Sequence, residues 1–220
     1  MSCPGCLPNI NDLDTTFDAT HARQEAEHYL KKGLDKRTRK LIAYLLTHCH
    51  EPISVLDVGC GAGGAHLELL RQGVAERAIG VDVASAYLAE ARANAAQLNL
   101  SDRVTYEQQD FAQAAASFAP ADVVLMDRVI CCYPHLAPLL GAAAQHTQQY
   151  LCLSFPHDEW WTRLPYRVFD FFQTLFRCKY RFYLHPQAQV VALAQTAGLQ
   201  PVHTDRTPFW QIMVFVRPQN

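Results

Sequence analysis

The stretch VLDVGCGAGG, Val55 to Gly64, constrains the fold of this chain more than any other. Gly59, Gly61 and Gly64 fit the pattern G-x-G-x-x-G and follow a short β-branched run, which predicts a tight turn between a buried strand and a helix. The pattern alone is a weak signal for a nicotinamide or flavin cofactor. The residues around the turn must therefore decide which ligand it serves.

Strand-like and helix-like segments alternate along most of the chain. Helices are predicted at 18–32, 35–49 and 136–148, and strands at ISVLDVG, RAIGVDV, RVTYEQQD, ADVVLMD and QYLCLSF. This alternation predicts a Rossmann-like α/β fold with a mostly parallel sheet and helices on both faces. The last two strand-like runs, GLQPVHTDRT and WQIMVFVRP, are separated only by PF. No crossover helix fits there, so the predicted seven-stranded sheet ends in an antiparallel hairpin.

Length, composition and charge narrow the class of protein. The 220 residues suit one domain, half of them are hydrophobic, and the formal charge of -2 gives no electrostatic reason to expect a nucleic-acid partner. The N-terminus lacks the pattern of a signal peptide, and no apolar run reaches the roughly 20 residues of a membrane span. We therefore expect a cytoplasmic protein. Residues 1–34 are predicted to form an arm and a cap helix, and 35–220 a ligand-binding domain with a substrate insertion near 156–185.

Three acidic residues stand at the ends of three successive predicted strands. Asp57 lies two residues before the first glycine, where a carboxylate disfavours a phosphate and suits an ammonium group. Asp82 ends the second strand and can accept both hydroxyls of a ribose. Asp110 ends the third and can accept from the exocyclic amine of adenine, with Phe111 beside it. An amino acid, a ribose and an adenine together describe S-adenosylmethionine. The alternative role for Asp82 and Asp110 is helix N-capping.

The motifs VLDVGCGAG, IGVDVA, QQDF and ADVVLMDRV resemble the successive signature motifs of class I S-adenosylmethionine-dependent methyltransferases. The resemblance covers roughly residues 35 to 217 and implies methyl transfer with S-adenosylhomocysteine as the product. The predicted cofactor-binding residues are Tyr29, Asp57, Gly59, Cys60, Gly61, Asp82, Val83, Asp110, Phe111 and Asp127.

Several segments are also similar to the magnesium-protoporphyrin O-methyltransferase group: MDRVICCYPH, LSFP, YLHPQAQVVALAQTAGLQ and FWQIMVFVR. That resemblance implies a porphyrin carboxylate as the acceptor. The group has a histidine just before its Tyr-Pro, whereas this chain has Cys132 before Tyr133 and Pro134. A small-molecule acceptor of another kind therefore stays the leading prediction.

Arg128, Cys132 and Tyr133 follow the fourth strand and are the predicted catalytic residues. Arg128 would hold an anionic substrate, and Tyr133 would orient a lone pair of the acceptor. The adjacent thiols of Cys131 and Cys132 are either buried packing or contacts to the substrate or a soft metal. A non-catalytic sensor with the same fold is therefore a further alternative. No metal site is predicted, because the pair Cys3-x-x-Cys6 has no second pair to complete a zinc site.

The segment after the fifth strand is rich in aromatic and basic residues, including Arg163, Arg167, Arg177, Lys179 and Arg181. One interpretation is an amphipathic helix packed on the core or in a dimer interface. The others are a wall for a flat, anionic, hydrophobic substrate and a surface that touches an anionic membrane. The sequence leaves open whether the protein is a monomer or a homodimer.

Overall fold

The structure is a computed structural model that describes residues 18–160, 162 and 182–218. Two helices, α1 (Ala19–Lys32) and α2 (Lys36–His48), precede the sheet. Each begins after an aspartate whose side chain accepts backbone amide hydrogen bonds: Asp18 from Thr20 and His21, and Asp35 from Thr38. These acceptors satisfy amides that have no partner within the first turn, which is why both helices start where the sequence predicts.

Strands and helices then alternate through the rest of the chain. The elements are β1 (Ile53–Val58), α3 (Gly64–Arg71), β2 (Ala75–Asp82), α4 (Ser85–Gln97), β3 (Val104–Gln108), α5 (Phe111–Ala114), β4 (Ala121–Asp127), α6 (Leu136–His146), β5 (Thr147–Pro156), α7 (Gln187–Thr196), β6 (Gln200–Arg206) and β7 (Trp210–Val216).

The seven strands form one sheet in the order β3-β2-β1-β4-β5-β7-β6. The pairs among β1 to β5 are parallel, and β7 runs antiparallel to both β5 and β6. The predicted mostly parallel sheet with a final antiparallel hairpin is confirmed. The order reverses at β1, which lies between β2 and β4. In such a sheet a crevice opens beyond the carboxyl ends of the strands on either side of the reversal.

Helix α6 ends two residues earlier than the sequence predicts. The helix stops at His146 rather than Gln148, and β5 begins at Thr147. Arg217, which follows β7, donates to the carbonyls of Ala144 and Thr147 at 2.6 and 2.8 Å. This arginine therefore supplies hydrogen-bond donors to carbonyls that have no partner where the helix ends. Because it comes from the far end of the chain, the local sequence carried no sign of the earlier stop.

Both faces of the sheet are buried, and the side chains of β1 are divided between the two faces. Leu56 and Val58 belong to a core cluster that includes residues of α6 and α7, whereas Ile53 and Val55 belong to a second cluster with α2 and α3. Successive side chains of a strand point to opposite faces, so one short strand supplies both cores. This double burial explains why β1 reads as a nearly continuous apolar run.

A buried ion pair joins helix α2 to the end of β4. Arg37 Nε donates to Asp127 Oδ1 at 2.8 Å, and both side chains are largely buried. The Thr38 hydroxyl donates to Asp127 Oδ2 at 2.6 Å, and the hydroxyl of Ser154 also donates to this carboxylate. Burial alone would raise the pKa of Asp127, but Arg37 in particular holds it below its usual value.

None of the helices in the described part of the chain has both the length and the hydropathy that crossing a bilayer requires.

Replacing Asp127 with Asn should lower the free energy of unfolding by about 3 kcal/mol at neutral pH, because the Arg37 charge stays buried without its main partner. Urea denaturation of the two proteins measures this difference. The folded-state pKa of Asp127 is depressed, so its contribution is present above the unfolded-state pKa of about 3.9 and is lost as pH falls through the lower folded value. The two proteins should therefore converge in stability in strong acid.

Glu76→Gln is the matched control, because the Glu76–Arg77 pair is 3.5 Å long and both side chains are about two-thirds exposed. It should leave the free energy of unfolding unchanged within error. Equal losses in both variants would contradict a special role for the buried pair.

Candidate functional site

A cavity of about 740 Å³ opens at the carboxyl ends of the strands beside the reversal and lies partly under α1. This volume is within the usual range for small-molecule sites. Every residue that the sequence predicts for cofactor binding or catalysis lines it: Tyr29, Asp57, Gly59, Cys60, Gly61, Asp82, Val83, Asp110, Phe111, Asp127, Arg128, Cys132 and Tyr133. The fold thus brings together residues that lie more than a hundred positions apart in the sequence.

Two backbone hydrogen bonds join the glycine turn to the end of β2. The amides of Gly59 and Cys60 both donate to the carbonyl of Val81, at 2.7 and 3.1 Å. Gly59 has a φ of 65°, and a Cβ at this position would lie 2.6 Å from a methyl group of Val129. Only glycine fits such a backbone conformation and such a close approach. The Cys60 thiol is buried, and burial raises its pKa well above the usual value.

Asp82 supports the glycine turn from the end of β2. Its carboxylate accepts the amide hydrogens of Gly61 at 2.8 Å and Ala84 at 2.9 Å. Burial raises the pKa of Asp82 to about 6, against the opposing effect of these amides. Each carboxylate oxygen has a second lone pair, so the side chain can accept further hydrogen bonds from a ligand in the cavity.

Asp57, near the end of β1, is the most buried carboxylate among the residues that line the cavity. It is only 1% exposed, and its Oδ2 is 2.7 Å from Nδ1 of His66 on α3. Burial raises the pKa of Asp57, and the contact with His66 opposes this rise. The carboxylate thus has one fixed partner within the protein.

Asp110 both caps a helix and faces the cavity. It accepts from the amide of Ala112, from the side chain of Gln113 at 2.6 Å, and from the hydroxyl of Tyr133 at 3.1 and 3.3 Å. Asp110 therefore does cap the helix, as the alternative interpretation predicts, but capping does not exclude ligand binding. The neighbouring Phe111 ring is buried against Phe118 and His146, and the residue also lines the cavity.

Tyr133 has a different environment from the one its predicted catalytic role implies. A short 3₁₀ turn, Ile130–Cys132, follows β4 and brings the ring back beneath α5, where its hydroxyl meets Asp110. Burial and the Asp110 charge raise the pKa of Tyr133. The hydroxyl therefore stays protonated and supports Asp110.

Asp127 also lines the cavity, but Arg37, Thr38 and Ser154 already donate to its oxygens. We therefore assign it a structural role at the end of β4. Its partner Arg37 on α2 lies 90 positions earlier in the sequence, so no local motif reveals this role.

Arg128 adopts the left-handed conformation, with a φ of 63°. Its amide donates to the Ser154 side chain and carbonyl, and its guanidinium donates to Glu25 on α1 at 3.0 Å. Left-handed backbone is uncommon outside glycine and persists where the surrounding contacts hold it. The Glu25–Arg128 pair links the cap helix to the far wall of the cavity.

The thiols of Cys131 and Cys132 converge on one acceptor. They donate to the carbonyl of Arg128 at 3.2 and 3.3 Å, and their sulfur atoms are 3.7 Å apart. The contact with Cys132, together with burial, raises the pKa of Cys131 well above its usual value. Cys131 is buried and Cys132 partly exposed, so packing accounts for one thiol, while the other is accessible from the cavity.

Aromatic side chains also line the cavity, among them Tyr29 on α1, whose hydroxyl donates to Glu68 at 3.4 Å. Trp210 and Phe182 also line the cavity and meet edge to face at 6.5 Å. Arg37 lies over the Trp210 ring at 5.1 Å. These side chains, the aromatic wall of the cavity, offer apolar surface to a bound molecule.

The sequence prediction missed two charged or titratable residues of the site. Glu25 lies on the cap helix among other charged residues and carries no distinctive signal. His66 is completely buried, and it precedes Leu69 and Leu70 by three and four positions on the buried face of α3. A polar residue on an apolar helix face was the available signal.

Some predictions concern residues outside the described part of the chain: the pair Cys3 and Cys6, and most of the aromatic and basic segment of the insertion. Within the described residues, no three His, Cys, Asp or Glu side chains group closely enough to hold a metal ion.

Residues 55–149, less than half of the chain, match the family described as methyltransferase domain. No curated protein matches this chain in sequence.

Solved structures resemble the chain over nearly its whole length. The magnesium protoporphyrin IX methyltransferase from Synechocystis PCC 6803, with bound S-adenosylhomocysteine, is 19% identical with a TM-score of 0.76, and the match covers 96% of this chain and 100% of that one. The 1,6-didemethyltoxoflavin-N1-methyltransferase from Burkholderia thailandensis is 17% identical with a TM-score of 0.69, covering 100% and 94%. The predicted class I methyltransferase fold is confirmed.

Replacing Gly59 with Ala should lower the free energy of unfolding by about 2–4 kcal/mol, because the new methyl group both strains the positive φ and overlaps Val129. Thermal and urea denaturation would measure the loss. Gly141→Ala is the control, since this glycine lies in α6 with nothing within 4 Å of an added Cβ. It should gain about 0.5–1 kcal/mol. A neutral Gly59→Ala variant would contradict the described turn.

Proposed function

We propose that this chain, whose fold is that of the class I methyltransferases, transfers a methyl group from S-adenosylmethionine to a small-molecule acceptor. The observation that carries the proposal is the convergence of Asp57, Asp82 and Asp110 on one cavity beside the glycine turn. S-adenosylmethionine has an ammonium group and a sulfonium, so an acidic cavity complements its positive charge.

The residues present fit the three parts of that molecule. We assign Asp57 to the ammonium group, Asp82 to the two ribose hydroxyls, and Asp110 with Phe111 to the adenine. Asp82 and Asp110 keep lone pairs beyond those used by the protein. Gly59 and Gly61 leave the backbone open to close approach. We also propose that residues 1–34 are an arm and a cap helix and 35–220 the binding domain, with the substrate insertion near 156–185.

When bound, the cofactor supplies a methyl group that is open to in-line attack at its sulfonium. The protein contributes mainly by holding the acceptor in line and excluding water. The aromatic wall with Trp210 and Phe182 would orient the acceptor. The thiol of Cys131 stays protonated, so it does not act as a thiolate base near neutral pH. An acceptor that is already ionised, or a neutral nucleophile, needs no base from this thiol.

An acceptor of the magnesium-protoporphyrin type is the second candidate. The full-length similarity in fold to the Synechocystis enzyme favours it, and the aromatic wall suits a flat ring system. An anionic carboxylate would need a cation, and the guanidinium of Arg128 is already paired with Glu25. Such a substrate would have to displace Glu25, which would also break this link between the cap helix and the far wall of the cavity.

A sensor that binds soft metals without turnover is the third candidate, and the 3.7 Å thiol pair is the observation that favours it. Retention of a soft metal, lost in a Cys131→Ser, Cys132→Ser double variant, together with an absence of turnover, would support the sensor over the enzyme.

The decisive experiment is a screen for S-adenosylhomocysteine release from S-adenosylmethionine with thiols, phenols, carboxylates and porphyrins as acceptors. Acceptor-dependent release from the wild-type protein is the expected result. A protein that binds neither the cofactor nor its product would refute the proposal.

Replacing Asp82 with Asn should weaken S-adenosylhomocysteine binding by about 2–3 kcal/mol, because a charged acceptor for two hydroxyls is lost. Asn keeps an oxygen to accept a backbone amide of the glycine turn. Since burial places the pKa of Asp82 at about 6, wild-type affinity should fall as the pH drops below that value. Titration calorimetry measures both effects, and the exposed Asp102→Asn is the control.

Replacing Cys132 with Ser should change the Michaelis constant for the acceptor more than the pH profile of kcat, since the thiol donates its hydrogen to the carbonyl of Arg128 and lines the cavity as a contact, not as a base. Steady-state kinetics across pH test this, with Cys49→Ser, outside the cavity lining, as the control. Loss of a titrating limb with unchanged binding would instead identify Cys132 as the base.

A further inference from the structure

A chain of buried polar groups runs beneath the glycine turn. Asp57 on β1 meets Nδ1 of His66 on α3 at 2.7 Å, and Nε2 of His66 lies 3.0 Å from the hydroxyl of Tyr106 on β3. That hydroxyl is also 3.2 Å from the carbonyl of Ala91 on α4. The imidazole is completely buried and packs against Gly63 of the turn. Four elements around the cavity are thus joined through one histidine.

The Tyr106 hydroxyl has two acceptors within reach but only one hydrogen to donate. When both ring nitrogens of His66 carry hydrogens, Nε2 donates to the tyrosine oxygen and the hydroxyl donates to Ala91. When Nε2 has lost its hydrogen, the hydroxyl turns and donates to Nε2. In both states Nδ1 donates to Asp57. The network therefore satisfies either charge state of His66 without leaving a buried polar group unpaired.

We infer that His66 is a positioning residue that fixes the orientation of Asp57 and sets the charge of the Asp57–His66 pair, and that binding of an ammonium group to Asp57 releases the proton from Nε2 of His66. The pair is neutral with the imidazolium and carries one negative charge with the neutral imidazole. An ammonium group beside Asp57 favours the negative pair, and the lost proton passes to the buffer. This inference rests on the proposed function.

Other charged and titratable groups surround the pair. Asp82 on β2 and Asp127 on β4 act on Asp57 through their negative charge, and the Cys60 thiol is also close to it. Arg92 of α4 lies over the Tyr106 ring at 5.6 Å, and Tyr29 of α1 also acts on Tyr106. Burial raises the pKa of Tyr106, so its hydroxyl keeps its hydrogen. Burial raises the pKa of Asp82 to about 6, so proton release by Asp82 must be distinguished experimentally from proton release by His66.

Two ligands distinguish proton release by Asp82 from proton release by His66. S-adenosylhomocysteine carries the ammonium group, whereas methylthioadenosine keeps the adenine and ribose but lacks the amino acid. Calorimetry of each ligand in two buffers of different ionisation enthalpy, at a pH within the imidazole range of about 5 to 8, counts released protons. Proton release through Asp82 should occur with both ligands. We expect additional release, of at most about one proton, only with S-adenosylhomocysteine.

Two variants then assign the additional release to His66. Asn at this position keeps an N–H donor for Asp57 but does not titrate, and Tyr106 retains Ala91 as its acceptor. His66→Asn should bind S-adenosylhomocysteine within a few-fold of wild type and lose the additional proton release. His66→Ala removes the donor as well and should bind it about tenfold or more weakly. His203→Asn, on the edge strand β6, should behave as wild type.

Each outcome decides the inference. Equal proton release by the two ligands in the wild type, or additional release that survives in a folded His66→Asn variant, would overturn it. If the wild type binds neither ligand, the proposed function itself fails, and the result is distinguishable from both of these. Restoration of affinity by Asn but not Ala, together with loss of the additional proton, would support it.

Discussion

The contact between the glycine turn and the segment after β4 is the constraint on which the rest of this structure depends. At the point where the strand order reverses, two chain segments meet with room for a hydrogen but not a methyl group at Gly59. The same turn is fastened to Val81 by two amides and to Asp82 by a third. Because the turn after β1 contacts the ends of both β2 and β4, the carboxyl ends of these two strands are held at fixed positions around one cavity.

The cavity concentrates acidic side chains, and the fold gives each of them a specific donor. Asp57 has His66, Asp82 has two backbone amides, Asp110 has Tyr133 and Gln113, and Asp127 has Arg37 with two hydroxyls. Carboxylates this close together would otherwise favour protonation. The partners divide them into two groups. Asp127 is fully used by the protein, whereas the other three keep capacity for a cationic, hydroxyl-bearing ligand.

Helix α1 packs on the rest of the protein through buried residues, but its polar contacts at the cavity are weak. Helix α1 reaches the far wall through Glu25 and Arg128, an ion pair with both side chains more than a third exposed, which contributes little to stability. The long 3.4 Å contact of Tyr29 with Glu68 adds little. A substrate that attracts either member of the Glu25–Arg128 pair can thus exchange one partner for another at small cost.

The sequence by itself determined the element order, the parallel sheet with its final hairpin, the glycine turn and the three acids at strand ends. These follow from local rules: periodicity, capping and the geometry that glycine allows. It also placed Arg128, Cys132 and Tyr133 at the cavity, because the carboxyl end of a parallel strand must lie there. What those side chains contact was decided only by the tertiary structure. Tyr133 meets Asp110, Arg128 meets Glu25, and His66 meets Asp57, because hydrogen-bond partners are set by where whole elements pack, across separations that no motif encodes.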